Sequence, residues 1–154
     1  LANSDPAACY PAGVLGLGAT IRTDRRSIAA DDFFIDLFTT ALEPGELIVG
    51  VDFPVPARAG YVKFKQPASR FALIGVFVSQ SAAGVRVAVT GAKACVYRVP
   101  EFERALAARF EPEALDGVAV SADGLNGDLH ASAEYRAAMI NVMAKRAVAQ
   151  ALGR

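Results

Sequence analysis

Residues 132–152 carry the clearest periodicity in the chain. Tyr135, Ala138, Met139, Val142, Met143 and Ala149 recur near every 3.6 positions, with Glu134 in the first turn and Gly153 past the end. That spacing predicts a long helix with this stripe in the core. Residues 100–110 predict a shorter helix with Phe102, Ala105, Leu106 and Phe110 on one face. Upstream the period drops to two. In residues 61–65, Tyr61, Lys63 and Lys65 share one face and Val62 and Phe64 the other. Residues 72–81 and 85–99 read as two further strands, joined by Ala82-Ala83-Gly84, a connection short enough for an antiparallel hairpin. Val85, Val87 and Val89 lie on one face, and Gly91 marks a bend or bulge.

The first third is more broken. Asp5-Pro6 reads as a helix opening, since Asp caps well and proline lacks only an N–H that the first turn leaves free. The helix would run over residues 7–17 and stop at Gly16 and Gly18. Residues 19–22 and 27–30 predict a hairpin around the charged turn Thr23-Asp24-Arg25-Arg26. Glu43-Pro44-Gly45-Glu46 is a turn, and residues 47–53 are an apolar strand. Two prolines and a glycine then interrupt residues 54–60, the best boundary in the chain. Strands followed by helices make the fold class α+β.

Composition narrows what such a fold can do. Of 154 residues, 53% are hydrophobic, enough to bury a core and exclude disorder. Sixteen basic and sixteen acidic residues balance, so there is no basic footprint for nucleic acid or an anionic membrane. The longest apolar run, residues 71–78, is far short of the ~20 residues that span a bilayer. No signal peptide opens the chain, and Leu1 is not an initiator methionine, so the sequence reads as a piece of a longer protein. Cys9 and Cys95 sit in apolar surroundings, which predicts buried, reduced thiols and a cytoplasmic setting. With His130 the only histidine, a zinc or iron–sulfur site lacks ligands.

Individual candidates mostly read as structural. Gly13-Val14-Leu15-Gly16-Leu17-Gly18 has glycines in reversed order for a dinucleotide turn, and it ends a helix where that turn must open one. Asp31-Asp32 suits turn and cap duty, His130 a surface loop, and Met139 and Met143 the core. Two residues stay open. Lys65 ends an alternating strand beside Gln66, as an exposed strand lysine or as a cation for a phosphate, a ribityl chain or a flavin carbonyl. Asp5 is either an N-cap or a ligand contact.

Several stretches, in order and over nearly the whole chain, resemble the FAD-carrying medium subunit of carbon monoxide dehydrogenase and its molybdenum-hydroxylase relatives, including the flavin domain of xanthine dehydrogenase. Leu1-Ala2-Asn3-Ser4-Asp5-Pro6-Ala7-Ala8 is similar to the residues just after that family's second flavin-binding turn. Asp31-Asp32-Phe33-Phe34 and Thr40-Ala41-Leu42-Glu43-Pro44-Gly45-Glu46-Leu47-Ile48 resemble its next signature. Phe64-Lys65-Gln66 and Ser132-Ala133-Glu134-Tyr135-Arg136 complete the set.

The resemblance implies residues 1–57 as the C-terminal part of an FAD-binding subdomain. It implies residues 58–154 as a three-stranded antiparallel sheet with a helical bundle. The family's glycine-rich pyrophosphate turns would lie upstream of Leu1, so the chain would be an N-terminally truncated fragment with weak FAD binding or none. Carried over by position, Asp5 and its neighbour Ser4 match a flavin contact, and Leu47 and Ile48 match an apolar strand position against the cofactor. Lys65 matches a lysine near the isoalloxazine, and Phe71 a residue at the flavin face. The implied function is electron transfer from the [2Fe-2S] clusters of a small subunit, through FAD, to an external acceptor. A molybdenum-cofactor large subunit would act on substrate in a heterotrimer, itself dimerised. The alternative is a cofactor-free interaction module of the same fold.

Overall fold

The computed structural model describes residues 1–154. Pro11 opens α1 (Tyr10–Leu17), its fixed φ suiting a first helical turn, and Gly18 closes it in the left-handed region at φ +65°. The helix therefore starts later than an opening at Asp5-Pro6 would require. Asp5 Oδ1 instead accepts from the Ala7 N–H at 2.9 Å. The Pro6 carbonyl is taken by the Thr90 hydroxyl at 2.6 Å and the Gly91 N–H at 2.7 Å. Gly16 lies inside the helix, where its bare Cα lets the Phe77 ring approach.

The hairpin forms as expected, with β1 (Thr20–Thr23) against β2 (Ser27–Ala29). One turn of helix, α2 (Ala30–Phe33), leads to β3 (Phe34–Asp36) and β4 (Thr39–Thr40), which pair with each other. Asp31 makes no capping bond to this turn and serves as an ion-pair partner instead. It accepts from Arg86 at 2.7 Å and from Arg98 at 3.2 Å. β5 (Ile48–Asp52) pairs with β1, giving an antiparallel sheet in the order β2-β1-β5.

β6 (Arg58–Lys65) begins inside the proline–glycine stretch, earlier than alternation alone indicates. It pairs antiparallel with β7 (Ala72–Ser81), and β7 with β8 (Gly84–Thr90). The run over residues 85–99 is not one strand. Gly91 turns away at φ +85°, where a Cβ would come within 2.5 Å of the Ala72 carbonyl oxygen. The chain returns as the two-residue β9 (Tyr97–Arg98) beside β8. The three long strands thus gain a short fourth, in the order β6-β7-β8-β9.

The helices follow as α3 (Pro100–Ala108), a 3₁₀ turn at Pro112–Leu115, and α4 (Ala133–Ala151). Ser132 caps α4 by accepting from the Tyr135 N–H at 3.2 Å. On one face of the larger sheet, Ile74, Val76, Val78, Val87 and Val89 join Phe102, Leu106, Ile140 and Met143 in one core. On the other face Ala88 joins a second cluster with Val14, Leu15, Ile21 and Phe33, against which Tyr61 and Phe77 pack. The buried stripe of α4 is Arg136, Ala137, Ile140, Met143, Ala144, Ala147 and Val148, rotated from the expected one. Tyr135 and Val142 are 45% and 38% exposed. Both cysteines are free and half-buried, not fully enclosed. No helix is long and apolar enough to cross a membrane.

Candidate functional site

β6 ends in a register shift between Phe64 and Lys65, which leaves the Lys65 side chain exposed and without an ion pair. The loop beyond it is built around Gln66, whose Oε1 accepts from the N–H groups of Ala68 and Ser69, each at 2.7 Å. Arg70 sits at φ +63°, and the Gln66 N–H donates to the Phe71 carbonyl at 2.9 Å. Phe71 is half-buried, with its ring edge-on to His130 at 6.2 Å. Lys65 and Phe71 therefore stand at one end of the larger sheet.

The amino-terminal segment reaches the same end. Pro6 is held by Thr90 and Gly91, and the Gly91 backbone abuts Ala72 and Leu73. Ala72 is the cross-strand partner of Lys65. Asp5, next to Pro6, spends one carboxylate oxygen on Ala7 and has no bond at the other. Ser4 is buried, at φ +43°, and donates its hydroxyl to the Asp36 carbonyl at 3.2 Å. It anchors the turn to β3 and leaves Asp5 half-exposed.

Leu47 and Ile48 belong to the other sheet. Leu47 is 66% exposed, and its N–H donates to Asp24 Oδ1 at 2.9 Å. Ile48 pairs with Thr23 and packs partly on the second cluster. No hydrogen bond joins this pair to Asp5, Lys65 or Phe71. Asp5, Lys65 and Phe71 gather at one end of the larger sheet, while Ile48, with Leu47 just before it, lies on the other sheet.

Between the two sheets lies an apolar cavity of about 490 Å³, lined by Leu1, Tyr10, Val51, Phe53, Tyr61 and Phe77 among others. At its wall the Lys63 ammonium donates to Cys9 Sγ at 3.2 Å. The Tyr61 hydroxyl is buried without a partner, and burial followed by the neighbouring Cys9 thiol pushes its pKa up. No sequence motif marks this trio. Its one legible signal was the β6 alternation, which puts Tyr61 and Lys63 on the face of Lys65.

These residues fit part of a flavin. The edge carbonyls of an isoalloxazine want a fixed cation, ribityl hydroxyls want an acceptor, and the ring wants apolar cover. Lys65 has a free ammonium, Asp5 a free carboxylate oxygen, and Leu47 and Phe71 apolar surface. A pyrophosphate wants converging N–H groups, and the glycines of residues 13–18 do not provide them. They are spent in α1 and its cap, where the Gly18 N–H donates to Leu15.

The chain is 32% identical over 165 residues to the nicotine 6-hydroxylase medium subunit of Paenarthrobacter nicotinovorans, a match covering 98% of this chain and 58% of the relative. It is 29% identical over 169 residues to the carbon monoxide dehydrogenase medium chain of Afipia carboxidovorans, covering 99% and 59%. Among solved structures, reconstituted CO dehydrogenase from Oligotropha carboxidovorans superposes with a TM-score of 0.82 at 28% identity, over 99% of this chain and 59% of that one. No protein-family model matches the sequence. The chain spans under two thirds of the length of these relatives, all of them oxidoreductase subunits, and over that span it shares their fold.

Proposed function

We propose that this chain, a homologue of the medium subunits of carbon monoxide dehydrogenase and nicotine 6-hydroxylase, contributes one wall of an FAD site in a molybdenum-hydroxylase complex. The observation that carries the reading is the superposition of 99% of the chain on a CO dehydrogenase chain at a TM-score of 0.82. The gathering of Asp5, Lys65 and Phe71 at one sheet end supports it. FAD, when bound, would supply the redox step between the [2Fe-2S] clusters of a small subunit and an external acceptor.

The residues of this chain bind and orient. The Lys65 ammonium stabilises negative charge at the flavin edge, and the absence of an ion pair leaves its charge undivided. Asp5 accepts from ribityl hydroxyls through its free oxygen, while Ser4 holds the turn. Phe71 covers one face and excludes water. Leu47 and Ile48 lend apolar surface at the start of β5. A molybdenum-cofactor large subunit would act on substrate in a dimerised heterotrimer of the carbon monoxide dehydrogenase type, in the cytoplasm.

The test is the cofactor content of the whole natural protein, purified with whatever subunits accompany it. The expected result is a yellow complex with oxidised-flavin absorption, and FAD, molybdenum and iron in the eluate. A colourless preparation overturns the proposal and leaves the cofactor-free interaction module.

A further inference from the structure

Arg136 is the one cation in the core, with 2% of its surface exposed. Its Nη1 donates to the carbonyls of Leu73 at 2.7 Å and Gly91 at 3.1 Å, and its Nη2 to Asp128 Oδ2 at 2.8 Å. Its Nε is buried and has no partner. Taking a guanidinium out of water is costly, and an orphaned N–H adds to the cost. The fork is oriented by what it grips, at the expense of its own satisfaction.

What it grips is informative. Leu73 follows Ala72, the cross-strand partner of Lys65. The Gly91 peptide accepts from Arg136 on one side, and its N–H donates to Pro6, the neighbour of Asp5. Asp128 also accepts from the N–H groups of His130 and Ala131, which sets the loop whose imidazole meets Phe71. Three segments far apart in sequence converge on one guanidinium.

We propose that Arg136 is the positioning residue that fixes the Asp5 turn, the Lys65 strand end and the Phe71 loop at set distances from one another. This rests on the reading of those three residues as flavin contacts. A planar fork holds two carbonyls and a carboxylate in fixed directions, which a lysine cannot do.

The test compares Arg136→Lys and Arg136→Met in the whole natural protein, with Ile140→Ala on the same helix as the stability control. Two quantities are read, amide hydrogen exchange at Gln66, Gly91 and Ala131, and FAD affinity by titration. Arg136→Lys keeps the charge and is expected to fold. It should speed exchange at all three amides together and weaken FAD by about tenfold, the worth of one hydrogen bond to a charged group. Ile140→Ala should lower the melting temperature without singling out those amides. The proposal is overturned if the three amides stay at their wild-type rates in Arg136→Lys, or if its FAD affinity equals that of Ile140→Ala. If the wild-type protein binds no FAD, the flavin reading fails, and joint loosening of the three amides still upholds Arg136 as their common anchor.

Discussion

Glu46 sits at the head of β5 with no exposed side-chain surface. It accepts from Arg26 Nε at 3.0 Å, from the Thr23 hydroxyl at 2.7 Å and from the Glu43 N–H at 2.8 Å. The Arg26 bond above all, then Glu43 and Thr23, pull its carboxyl from an ordinary 4.5 down to about 2. A group depressed in the folded state lends stability above its unfolded pKa and withdraws it as pH falls through the folded one. Acid should therefore weaken the fold between about pH 4.5 and 2. Glu46→Gln should flatten that part of the profile, as read by denaturant midpoints across the interval. An unchanged slope would assign the acid sensitivity elsewhere. Lys65 makes a contrasting case, because nothing in the chain uses its charge. Lys65→Met should leave the melting temperature within a degree or two, as exposed substitutions do, and weaken FAD about tenfold in the whole protein, since charge-assisted contacts are the strong ones. Equal affinity would remove Lys65 from the site.

Elements show where a one-dimensional pattern is enough and where it fails. The strands of the larger sheet were legible because Val62, Val76, Val87 and Val89 alternate with residues of different size or charge. The length of α4 was legible too, from Ser132 and Gly153 at its ends. Its buried face was not. Alanines at 133, 137, 138, 144, 147 and 149 fit a core or a surface equally, so two stripes compete along the helix. The observed one includes Arg136, and no hydrophobic periodicity assigns an arginine to the interior. Gly91 was recognised as a bend, but the fourth strand beyond it depends on a backbone contact with Ala72 that only the folded chain reveals. The start of α1 was not legible at Asp5-Pro6, because the claim of Thr90 on Pro6 is a long-range bond. Gly60 is the clearest test at this scale. A Cβ there would overlap the Ala147 carbonyl of α4. Gly60→Ala should cost about 1–3 kcal/mol in denaturant unfolding, the usual range for overpacking. A neutral result would mean that α4 shifts freely on the sheet.

For the whole molecule, the decisive arrangement is a central sheet with a core on each face. Val76 and Val87 point to one cluster, while Ala88 belongs to the other and Phe77 packs against it. Melting either side exposes the same strands, so the two cores should unfold together. Ile140→Ala and Ile21→Ala remove buried methyls from opposite faces. Each should cost about 2–5 kcal/mol of stability and lower the temperature of one shared transition. Two separate transitions in calorimetry would show that the faces are independent. The candidate site depends on this arrangement, because Asp5 comes from one side of the sheet and Phe71 from the loop beside α4. In the sequence the two are 66 positions apart, and the ties of Thr90 and Gly91 to Pro6 bring them to the same end.

β5 is the outer strand of its sheet, and Leu47, Val49, Phe53 and Val55 on or beside it are 66%, 59%, 51% and 92% exposed. A bare edge of this kind is an invitation to intermolecular pairing. Kept by itself at high concentration, the polypeptide should turn turbid and stain with thioflavin. Replacing Val49 with lysine should delay that onset without altering the monomer's circular dichroism. Solutions of these 154 residues will keep poorly on the bench unless that strand is guarded.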